Sequence, residues 1–141
     1  MTILEQLRRD EGVRRLVYYV NDPQYHPVPH VGVGHNLRDN PISDAAIDQI
    51  LHDDVAACEA GLDRVIPWWR TLSEARQGVL LNMAFNIGVP GFVEKNPKFL
   101  AFVKAGEYEP ASQEMLDGPW SQEVPARAYR LSLQMKNDLW Q

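Results

Sequence analysis

Glu11, Asp22, His30 and His35 lie close together near the start of the chain, and their types are those of acid–base chemistry. A protonated carboxyl donates to a leaving oxygen, while an ionised carboxylate stabilises a positive centre. An imidazole serves as base or nucleophile, because its unperturbed pKa is about 6.5. Glu11 stands beside Gly12, where a first helix should end. The negative end of a helix dipole disfavours a carboxylate, and partial burial there would raise its pKa, which suits a general acid. On position alone, an exposed turn glutamate is the plainer reading. Asp22 belongs to an Asn-Asp-Pro turn, where aspartate is an ordinary turn initiator. His30 and His35 flank VGVG, whose glycines admit a close backbone or ligand. A lone histidine in such a place is more often structural. The spacing of His26, His30, His35 and His52 matches no zinc pattern, so no metal is expected.

The elements that must position these groups follow from local pattern. Thr2 and Glu5 form a capping box for a helix with Ile3, Leu4 and Leu7 on one face, ending near Asp10–Gly12. VRRLVYYV favours strand, and the three prolines of NDPQYHPVPH forbid helix. A small irregular sheet over about 13–40 is predicted. Ser43 caps a helix over about 43–65, carried by Ile47, Ile50, Leu51, Val55, Cys58 and Leu62. GVLLNMAFNIG is apolar on nearly every side, including Phe85, and predicts a buried central helix ended by Gly88. Further helices are expected over 97–106, from about Pro110 to Asp117, and from Pro125 onward. The fold class is α+β and mostly helical, in one domain over 1–141.

Composition excludes other classes. The 141 residues are 45% hydrophobic and 23% charged, a globular mix. The net charge of −5 arises in segment 41–67, which holds six acids and one base, and each flank is balanced. No basic face for nucleic acid is evident. The acidic stretch reads as a solvated helix face rather than a metal site. Cys58 is the single cysteine, which excludes an internal disulfide. No apolar run approaches the roughly 20 residues of a membrane helix. MTILEQLRRDEG lacks the apolar core of a signal peptide, so cytoplasmic synthesis, no membrane insertion and a monomer are expected. No cofactor is called for.

Four blocks in order, LRRDEGVRRLVYY at 7–19, VGVGH at 31–35, LLNMAFNIGVPGF at 80–92 and GPWSQEVPARAYR at 118–130, give nearly the whole chain a specific likeness. It resembles the phage-type lysozymes, the endolysins of glycoside hydrolase family 24. The resemblance implies a two-lobe fold: a small N-terminal sheet lobe, and a helical lobe of about 66–141 plus the N-terminal helix, joined by the helix at 43–65. It implies a muramidase that cuts the N-acetylmuramic acid to N-acetylglucosamine β-1,4 bond of peptidoglycan. Glu11 then corresponds to the general acid. Asp22 takes the aspartate's place, two residues later than the shortest spacing; unshifted Val20 cannot serve, and Asn21 is a weaker candidate. Arg127 matches the family's arginine and would reach Glu11. Asn86 falls where the family presents an amide to substrate, and Asn82 is expected to be a buried hydrogen-bonding residue. His35 and Asp54 match a structural pair.

One departure stands out. Counting back from VGVGH puts His30 where the family carries a threonine that positions the attacking water. The resemblance thus implies a third catalytic group, His30, which either activates water with inversion or attacks the sugar with net retention. A longer loop that turns His30 away is the alternative. Between His35 and Asp54 there is room for little more than a turn. The expected partner is cell-wall peptidoglycan, met after holin-dependent release from the host cytoplasm. A catalytically silent wall-binding or structural module is the rival reading, and a glycosidase of chitin-like polymers a third.

Overall fold

The computed structural model describes residues 1–24 and 26–141. The order is α1 (Ile3–Glu11), β1 (Arg14–Val20), β2 (Val28–Gly32), β3 (His35–Asn36), α2 (Asp44–Val65), a 3₁₀ turn (Pro67–Thr71), α3 (Glu74–Ile87), α4 (Val89–Lys95), α5 (Pro97–Lys104), α6 (Tyr108–Glu114), α7 (Pro119–Glu123) and α8 (Pro125–Asn137). The chain is mostly helical with one small antiparallel sheet, the α+β class the sequence predicts. Two compact units divide it, Met1–Ile50 and Leu51–Gln141.

In the first unit, Thr2 and Glu5 form the capping box at the start of α1. The helix stops at Gly12, which has φ 74° and ψ 166°. The ψ is extended rather than that of a left-handed helical cap, because the chain passes at once into β1. The sheet order is β1-β2-β3. β1 pairs with β2 through Tyr18↔His30 and Val20↔Val28, with an irregularity between Arg14 and Tyr18. β2 pairs with β3 through His30↔Asn36 and Val31↔His35. Gly32 and Gly34 turn that corner at φ 68° and 70°, a backbone region costly for other residues.

The second unit holds a core of Leu62, Trp69, Val79, Leu80, Met83, Phe92, Phe99, Val103 and Met135, all fully buried. Each such side chain contributes roughly 1.5–3 kcal/mol by leaving water. Prolines in the first turn start α4, α5, α7 and α8, where a missing N–H costs nothing. The short α4, α7 and 3₁₀ turn escape the sequence pattern because each is too brief to show a period. The helix expected from about Pro110 begins two residues earlier, at Tyr108, and ends at Glu114. Pro110 sits in its first turn, where N–H groups have no helical partner. α3 is buried on one face only, through Ala75, Val79, Leu80, Met83 and Ala84. Asn82, Phe85 and Asn86 lie on another face and are exposed, so Asn82 is not the buried residue expected.

Gly61 lies mid-helix in α2, where glycine is unfavourable. Close packing explains it: a Cβ there would stand 2.9 Å from Val89 Cγ2 of α4. After α2, buried Trp69 donates its indole N–H to Asp63 at 2.7 Å. Arg70 donates to the same carboxylate at 2.9 Å and lies over the Trp69 ring. Its guanidinium first, and the indole second, hold the Asp63 carboxyl below the usual carboxylate range.

Two predictions follow from these contacts. Gly61→Ala should destabilise the protein by about 1–3 kcal/mol of overpacking, less about 1 kcal/mol of helix propensity. Thermal melts of the pair check it, and an Ala variant at least as stable as the parent would show that Val89 yields. Asp63 binds its partners more strongly when ionised, so that extra contribution is present above the unfolded carboxylate pKa and lost as pH falls through the depressed folded value. Asp63→Asn should therefore flatten the acid limb of a Tm-against-pH curve. A limb of unchanged steepness would remove Asp63 from it.

Candidate functional site

Glu11 is the last residue of α1 and is exposed. Its Oε2 lies 3.8 Å from where a Cβ on Gly34 would stand, so the carboxylate rests against the β2–β3 corner. The capping box at one end of α1 and Gly12 at the other fix where this side chain leaves the helix.

His30 sits in the centre of β2 and is half-buried. Its ring packs against cross-strand Tyr18 with centroids 5.6 Å apart, and Arg14 lies 5.8 Å over the Tyr18 ring. His30 Nδ1–H donates to the Val28 carbonyl at 2.9 Å. A carbonyl only accepts, so the proton of the neutral ring is on Nδ1, and Nε2 carries the basic lone pair.

Asp22 stands in the loop between β1 and β2 and is half-buried. Its Oδ1 accepts the Gln24 backbone N–H at 2.9 Å, closing an Asx turn. Its Oδ2 lies 3.8 Å from Arg38 Nη2. Arg38 also grips Asp39, Nη2 to Oδ2 at 2.9 Å and Nε to Oδ1 at 3.0 Å. Asn36, at the end of β3, accepts the backbone N–H groups of Arg38 and Asp39 and donates to the Asp39 carboxylate at 2.8 Å. Arg38 first, then Asn36, lower the Asp39 carboxyl, with a smaller pull from nearby His30. The first unit thus contains Glu11, Asp22 and His30 and ties each to its small sheet or the loops beside it. His35 Nε2–H donates to the Asn40 carbonyl at 3.1 Å in the same unit.

The remaining predicted residues belong to the second unit. Asp54 is exposed on α2, and Arg127 is half-buried in the first turn of α8. Asn86 accepts the Trp120 indole N–H at 2.9 Å. That bond engages the amide oxygen and leaves the NH₂ as the donating end of the side chain. Trp120 also lines a cavity of about 480 Å³, together with Asn96, Phe99 and Met115 and the ion-paired Lys98 and Glu114. Sequence reasoning missed Tyr18, Arg38, Asp39 and the Asn86–Trp120 bond. The Arg38-Asp39 dipeptide after VGVGHN was the available signal; the Tyr18–His30 pairing depends on a register that the intervening loop conceals.

A mostly helical chain with a small antiparallel sheet is consistent with a lysozyme-like fold. The phage lysozyme family model matches residues 8–128, and the chain belongs to that family. Membership supports a peptidoglycan-degrading, lysozyme-type function. The chain is also 30% identical to the pre-baseplate central spike protein Gp5 of Enterobacteria phage T4, over 94% of its own length. It spans 27% of the length of that relative.

Proposed function

We propose that the protein is a muramidase hydrolysing the β-1,4 bond between N-acetylmuramic acid and N-acetylglucosamine. The observation that carries this is Glu11, held at the end of α1 against the glycine corner, in a member of the phage lysozyme family. Glu11 gives its proton to the glycosidic oxygen as the C1–O bond breaks and the electron pair leaves with that oxygen. Asp22, ionised, stabilises the positive charge that develops at C1. His30 Nδ1–H is engaged by the Val28 carbonyl, which leaves Nε2 as its basic nitrogen. It either takes a proton from the water that attacks C1, giving inversion, or bonds to C1 itself until water displaces it, giving retention. The Asn86 NH₂ holds an acetamido carbonyl, and Arg127 is a second substrate-binding residue. No cofactor takes part.

The biological role proposed is that of an endolysin, a monomer made in the host cytoplasm and released through a holin to lyse the cell. The Gp5 match favours a second role, a wall-degrading domain of a virion baseplate. Detection in purified particles would favour the baseplate, and detection only in lysing cells the endolysin.

Glycan turnover on purified cell walls tests the activity. Glu11→Gln should fold as the parent does and lose about 10²–10⁴-fold in rate. An inactive parent would leave a silent wall-binding module, and an active Glu11→Gln would remove Glu11 from its role. For His30, the anomeric configuration of the first product is read by NMR. His30→Thr should give inversion. A retained product from the parent assigns His30 as nucleophile, and an inverted but faster one as base. Identical configuration and rate in both make His30 a bystander.

A further inference from the structure

We propose that Arg38 is a positioning residue that acts through Asp22, an inference resting on the muramidase reading. Asp22 stands beyond the end of β1, two residues later than the shortest family-like spacing, so the strand itself does not fix its carboxylate. Two contacts from different parts of the chain do so. The Gln24 amide holds Oδ1 from within the loop. Arg38, from the segment after β3, faces Oδ2 at 3.8 Å. Arg38 is itself aimed. Two of its nitrogens engage Asp39, a forked grip that sets the plane of the guanidinium. Asp39 in turn is held by Asn36, whose side chain takes three hydrogen bonds in that turn. Asn36 pairs in register with His30. A continuous line of contacts therefore runs from His30 through Asn36, Asp39 and Arg38 to Asp22. It references the aspartate to the same sheet that carries the histidine, and so compensates for the long loop.

A guanidinium suits this task better than an ammonium. Its planar fork serves two carboxylates at once in fixed directions, whereas a lysine is a mobile point charge. The pairs are partly exposed, so their contribution to stability is small. Their effect falls on geometry, to which catalytic rates respond steeply.

The test is steady-state kinetics on soluble glycan strands from purified peptidoglycan, using the full chain. Arg38→Ala should lower kcat by ~10–100-fold, as misplacing a reacting group does. Its KM and melting temperature should stay near the parent's, and Arg38→Lys should recover part of the loss. Because Arg38 acts through Asp22, adding Arg38→Ala to Asp22→Asn should cost nothing further. An unchanged kcat in Arg38→Ala, or an equal extra loss in the Asp22→Asn background, overturns the inference while the activity stands. A parent without glycan cleavage overturns the muramidase reading, and the inference with it.

Discussion

The register of a three-stranded sheet is the constraint on which the first unit depends. Side chains alternate along a strand, so a slip of one residue would send His30 to the opposite face, away from Tyr18. Such a small sheet has little burial with which to specify its own pairing. The corner between β2 and β3 supplies the specification. Gly32 and Gly34 both take positive φ, and another residue there would cost about 1–2 kcal/mol at each position. This tight turn sets Val31 against His35 and His30 against Asn36. The same corner receives the Glu11 carboxylate. One short motif therefore fixes the face of the histidine and the seat of the acid.

What was legible in the sequence was local. The Thr2–Glu5 box, the Ser43 start of α2, the Pro125 start of α8 and the apolar run of α3 are read from residues within a turn or two of each other, and each element forms as its pattern predicts. Glu11 is found at the helix end where its neighbours place it. What was hidden was non-local. Arg38 meets Asp22 across sixteen positions, and Asn86 meets Trp120 across thirty-four. No period or cap encodes either meeting. The α3 face was misjudged for a related reason. A run of apolar types says that a helix is buried, but only its packing partners decide that Val79 and Met83 go inward while Phe85 does not.

The charged groups divide by what surrounds them. Asp63 accepts from a buried indole and a stacked guanidinium, so its charge anchors the chain where α2 gives way to the 3₁₀ turn. Arg38, Asp39 and Asp22 stand nearer to water, where an ion pair contributes little to stability. A fold under selection for stability alone would gain little from them. Direction is what they supply: Asp39 grips Nε and Nη2 of Arg38, and the same Nη2 faces Asp22 Oδ2 at 3.8 Å. The price is a few surface side chains held in one geometry.

The distribution of charge bears on how a wall polymer would be met. Residues 1–40 carry no net charge, and the chain's deficit falls on the acids of segment 41–67. Beyond about 8 Å at physiological salt, exposed charges are largely screened. An anionic polymer therefore meets neither strong attraction nor strong repulsion from residues 1–40, which hold Glu11, Asp22 and His30. Electrostatic steering, which serves enzymes with a strong field of one sign, is weak in this chain. Recognition must then come from contacts at hydrogen-bond range. Groups that make such contacts need fixed directions, because a loosely held donor gives up most of its gain in ordering itself. The Trp120 bond on the Asn86 amide and the Val28 bond on the His30 ring each fix one such direction. Each engages one polar atom of a side chain with the protein and so leaves the other in a single form.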